Sequence, residues 1–129
     1  MKKKILIGIM LLTTIAISGY FYLYKDHRDI ASEKATFTVS VNQLVNEFLK
    51  DNALATKKYQ DQTIEFNATI TNIDKTNKSI VLDEKIFATF TTSISNEIVL
   101  GKKLKVKGRF LGYDELLEEF KIDQCTIIK

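Results

Sequence analysis

The sequence predicts a small all-β barrel of five strands with one helix on its N-terminal side, carried behind an apolar helical leader. Three observations predict it. The run from Ile5 to Tyr24 contains no charge, one segment over 41–52 repeats its apolar residues at helical spacing, and five later segments alternate apolar with polar residues.

At 129 residues the chain has room for one domain. Hydrophobic residues make up 45% and charged residues 27%, a globular balance with no disordered linker. The formal charge of +3 is concentrated at the leader. Setting aside Lys2, Lys3, Lys4 and Lys25 from the nineteen basic residues leaves fifteen against sixteen acidic ones, a net of −1 for the rest. A nucleic-acid-binding domain usually carries a strong positive balance, so this composition argues against nucleic acid as the partner.

The leader opens with Lys2, Lys3 and Lys4, a short cytoplasmic tail over 1–4, and continues as a transmembrane signal-anchor over 5–24. Twenty helical residues span about 30 Å, the thickness of the hydrocarbon layer. Tyr20, Tyr22 and Tyr24 crowd the far end, where amphipathic rings prefer the interface. Lysines at the start orient the N-terminus toward the cytoplasm and the following domain away from it. Ala16-Ile17-Ser18 also has the small-x-small pattern of a cleavage site, and cleavage after Ser18 would release a secreted domain. The uninterrupted apolar run through Tyr24 favours the anchor.

Residues 25–37 are polar and read as a juxtamembrane spacer, with His27, the only histidine, as a solvated surface residue. The folded domain follows over 38–129. Val41, Leu44, Val45, Phe48 and Leu49 form one apolar stripe, and Ser40 with Gln43 resembles a capping box, so a helix is expected over 41–52. From there the period changes to two. Ile64, Phe66, Ala68 and Ile70 alternate with Glu65, Asn67, Thr69 and Thr71 in a first strand near 62–73. Further strands are expected near 78–83, 86–92, 102–112 and 118–128, with a helical turn allowed in 93–100. Cys125 in the last strand is expected to be a buried thiol acting as a small hydrophobe, while strict alternation sets Phe120, Ile122 and Gln124 on the face opposite Lys121, Asp123 and Cys125. Five short strands left as an open sheet would expose two edges, whereas a closed barrel removes them and the helix can plug one end. Gly108 inside the fourth strand marks a bulge or corner. The expected architecture is OB-fold-like.

Several residues resemble those of a known family. Asn52, Ala55, Lys58 and Tyr59 ahead of the first strand, Gly101, Val106 and Gly108 in "GKKLKVKGRFLGY", and Cys125 in the last strand are similar to the motif of the tRNA_anti-like OB-fold family of exported bacterial proteins, over about residues 38–129. Asp61 stands where that family carries a glycine, and Leu104 replaces a valine. The resemblance implies the barrel and an exported location. Its motif residues are scaffold and imply neither catalysis nor a tRNA ligand.

No nucleophile with its base, metal constellation or phosphate-cradling loop is recognisable, so neither an enzyme nor a cofactor nor a metal site is expected. Asp114, Glu115, Glu118 and Glu119 read as a charged, solvated loop. Candidate ligand contacts are the ladder Lys103, Lys105, Lys107 and Arg109, which alternation places on one face, together with Phe87, which projects outward if Ile86, Ala88 and Phe90 face in. The competing reading pairs the ladder with Glu65, Glu119 and Asp123 on adjoining strands. The expected function is a membrane-anchored extracytoplasmic OB-fold binding module for a protein or envelope component. Oligonucleotide or oligosaccharide binding is the alternative.

Overall fold

Apolar residues that recur every second position demand a partner sheet, and here the strands close on one another. The computed structural model describes residues 1–24 and 28–129, so the expectation for His27 lies outside the described residues. Helix α1 (Lys2–Leu23) is apolar around its whole circumference and buries none of its residues. The hydroxyls of Thr13 and Thr14 donate back to the carbonyl of Met10, which satisfies these polar groups within the helix itself.

Strand β1 (Phe37–Thr38) runs parallel to the start of β2 (Thr63–Asp74). Helices α2 (Val41–Lys50) and α3 (Asn52–Tyr59) lie between them in sequence, followed after β2 by β3 (Ser79–Leu82), β4 (Ile86–Phe90), β5 (Lys103–Asp114) and β6 (Glu119–Ile128). The order β1-β2-β3-β4-β6-β5 closes through a further β2–β5 pairing. All barrel pairings are antiparallel except β4 with β6. The first half of β2 pairs with β5 and β1, and its second half with β3, so β1 covers an edge that would otherwise be open.

The interior is formed by the alternating residues of every strand, among them Ile64, Phe66, Ile80, Leu82, Val106 and Phe110, all fully buried. Phe48 of α2 plugs one end, with its ring 5.2 Å from Phe120, 5.6 Å from Phe110 and 5.7 Å from Tyr113. The connection 91–102 contributes Ile94 and Ile98 to the core without forming a helix.

Four expectations are corrected. The helix expected over 41–52 is two helices, because Asp51 adopts an extended conformation and its carboxylate accepts the Leu54 N–H, ending α2 and capping α3. At the start of α2, Ser40 accepts from the Gln43 amide as anticipated, but the Gln43 side chain donates to Glu47 rather than closing the box. Second, the described part of the supposed spacer packs on the barrel. Ile30 is buried, the Thr36 N–H donates to the Thr63 carbonyl, and Arg28 donates to Glu33 and to the Asp61 carbonyl. Third, Cys125 is a buried thiol as expected, but it shares the inward face with Phe120 and Ile122, against strict alternation. Between Lys107 and Arg109 on β5 the partner strand advances from Thr126 to Asp123, one residue more, and Gln124 takes a left-handed φ of 49° to absorb it. That bulge reverses the alternation, so Cys125 is buried and Gln124 half-buried. Gly108 faces the bulge, where an added Cβ would stand 2.7 Å from both Cys125 Sγ and Ile122 Cγ2. Strand β4 also ends at Phe90 rather than 92.

Candidate ligand-binding surfaces

Each cation of the ladder projects from β5 between inward Leu104, Val106, Gly108 and Phe110. Arg109 makes a bidentate contact with Asp123 on β6, at 2.9 and 2.6 Å. The two side chains are 28% and 25% exposed, and the carboxylate pushes the guanidinium pKa further above its usual value. Lys105 Nζ lies 2.7 Å from Glu65 on β2. Lys107 Nζ donates to the Ala31 carbonyl at 2.8 Å. Only Lys103 lacks a hydrogen bond or ion pair among the described residues. Two of the three carboxylates expected to answer the ladder do so; Glu119 instead lies opposite Asp114.

Phe87 projects outward from β4, half-buried, opposite Val81 on β3 and Lys121 on β6. Lys121 Nζ covers its ring at 5.3 Å from the centroid. An OB barrel stacks bases on several exposed rings of its second and third strands. On β3 and β4, Phe87 is the one outward ring, and an ammonium already occupies it.

A cleft of about 530 Å³ opens between α2 and the β5–β6 hairpin. Val45, Phe48, Leu49, Tyr113 and Phe120 give it an apolar lining, and Asn52, Lys85, Glu115 and Glu118 supply the polar groups. Asn52 Nδ2 donates to Glu115 across it at 3.1 Å, joining the first turn of α3 to the hairpin. The hairpin turn is ordered by Asp114, whose carboxylate accepts the N–H groups of Leu116 and Leu117. That arrangement turns both leucines outward: Leu116 is 96% exposed and Leu117 61%. The sequence signal was present as "DELLEE", two adjacent leucines in an acidic turn, where only solvated charge was expected.

The Cys125 thiol is buried, and burial pushes its pKa far up. Among the described residues no group of three or more His, Cys, Asp or Glu is placed to hold a metal ion.

A closed five-stranded barrel with this order, one parallel pair and a helix sealing one end is an OB-type scaffold, a class that presents binding surfaces on its strands and loops. The tRNA_anti-like family model matches residues 1–118, and the chain belongs to that family. Among solved structures, the fold resembles that of a Klebsiella pneumoniae lipoprotein described as a candidate nucleic-acid binder, with a TM-score of 0.53 and 15% sequence identity over 81% of this chain and 100% of that one. Likeness at that identity concerns the fold. No curated protein matches the chain significantly.

Proposed function

We propose that this protein is a membrane-anchored, extracytoplasmic OB-fold binding module that engages a protein or another envelope component. The observation that carries the reading is α1. Its 22 residues make a helix of about 33 Å that buries nothing against the domain, so its apolar surface calls for a bilayer. Lys2 to Lys4 on one side and Tyr20, Tyr22 and Tyr24 on the other suit a cytoplasmic start and an interfacial far end.

The state of the ladder favours a protein ligand. Phosphate-driven binding draws on cations free to exchange counterions, and three of these four are engaged within the protein. The description of the Klebsiella lipoprotein supports the second reading, single-stranded nucleic acid on the β3–β4 face around Phe87.

In the decisive experiment the full chain is cross-linked in cells, recovered from solubilised envelope and treated with nuclease. The expected result is recovery in the membrane fraction with a protein adduct that survives nuclease. Recovery in the soluble fraction, or adducts destroyed by nuclease, overturns the reading. Titration with a labelled single strand distinguishes the alternative, which requires binding at low salt that falls steeply as salt rises.

A further inference from the structure

Resting on the reading of the chain as a protein-binding module, we propose that the cleft between α2 and the β5–β6 hairpin receives a cationic amphipathic segment of the partner. Its floor is aromatic, formed by Phe48, Tyr113 and Phe120. Leu49, 79% exposed, lines the cleft, and the hairpin turn that contributes Glu115 and Glu118 to the lining carries the exposed Leu116 and Leu117 between them. Single exposed leucines are ordinary on a soluble protein, but here one lines an aromatic-floored cleft and two more sit in the turn between two of its lining residues, which leaves apolar surface for a partner to cover.

The charges around this surface specify what covers it. Asp114, Glu115, Glu118 and Glu119 stand within six residues of the hairpin. Lys85 lines the cleft and Lys121 lies beyond it, with its ammonium over the Phe87 ring. Asp114 is occupied by backbone amides and Glu115 by Asn52, while Glu118 and Glu119 have no ion pair among the described residues. An acidic rim over an apolar floor repels an acidic partner and accepts a segment that buries leucine-like side chains and presents lysine or arginine at its margins. Lys102 and Lys103 stand at the opposite end of β5, so the one lysine in the cleft lining is the exposed Lys85, against two carboxylates, Glu115 and Glu118.

The test uses the full chain in phosphatidylcholine nanodiscs and two fluorescent probes, a short amphipathic leucine–lysine helix and its leucine–glutamate counterpart. The leucine–lysine probe binds, and the leucine–glutamate probe does not. Glu115→Lys combined with Glu118→Lys weakens the first by about tenfold or more and confers binding of the second. Both sites are exposed, and unchanged thermal unfolding shows that the variant is folded. Leu49→Ser weakens the leucine–lysine probe, and Lys103→Gln leaves it unchanged. Equal binding of both probes, or binding indifferent to the double reversal, overturns the proposal. So does a concentration-dependent dimer abolished by the same reversal, since the occupant is then a second copy. Probe binding without any cross-linked envelope protein would refute the proposed function and leave the cleft standing; the converse would refute only the cleft.

Discussion

The two halves of the hairpin built on β5 have opposite fates. From Lys103 to Phe110 the chain displays a row of cations that looks made for a ligand, yet the protein engages most of that row itself. From Leu111 to Glu118 it looks like an ordinary solvated turn, yet there it leaves leucines bare beside an open cleft. Alternation decides which face a side chain occupies. Register and neighbouring elements decide whether it is free to do anything there. Charge in the sequence is therefore a poor guide to charge available at the surface.

The largest test of this contrast strikes the plug between the two halves. Phe48→Ala removes a buried ring that contacts Phe110, Tyr113 and Phe120, and should cost about 4 kcal/mol in urea unfolding. A small loss would mean that α2 is not what seals the barrel. Next comes Gly108→Ala, whose new Cβ meets Cys125 and Ile122 at 2.7 Å; a loss of about 2 to 3 kcal/mol is expected, by the same measurement.

The third test is pH. Burial pushes the Glu47 carboxyl up, but hydrogen bonds from Gln43, Tyr59 and Lys58 together outweigh it and hold its pKa below the usual 4.5. A depressed carboxylate stabilises the fold above its unfolded pKa, and that contribution is lost as pH falls through the folded value. The Tm difference between the wild type and Glu47→Gln should thus be constant above about pH 5.5 and shrink as the pH falls toward 3. A difference that grows with acidity would contradict the assignment.

The smallest effects discriminate within the ladder. Lys105→Gln breaks a pair whose lysine is 43% exposed and should cost a few tenths of a kcal/mol, whereas Lys103→Gln should change stability by less than about 0.3 kcal/mol. Reversal of that order in thermal unfolding would show that the ladder is paired differently.

Local period made the strands legible: Ile64, Phe66, Ala68 and Ile70 face in and Phe87 faces out as their spacing requires. The glycine in the fourth strand marked the place where β6 bulges against it, and Asp61, at the position where the resemblance calls for glycine, has the left-handed φ of 62° that such a glycine would take. What escaped depends on contacts distant in sequence. Arg28 meets Asp61 and Thr63 more than thirty residues away, so a polar stretch read as a spacer became a packed strap. The reversal at Gln124 follows from β5–β6 register, which no local pattern in "KIDQCTII" records. Asp51 carried a capping signal, but α3 has too weak an apolar period to reveal it. The cleft was invisible because its walls come from α2, α3 and the far hairpin.

Whether the hairpin end or the ladder meets the partner is read out by placing a photo-cross-linking side chain at Leu116 or at Lys103 in the full chain and irradiating cells. A discrete protein adduct is expected from position 116 and none from 103. An adduct from 103 alone would contradict that expectation.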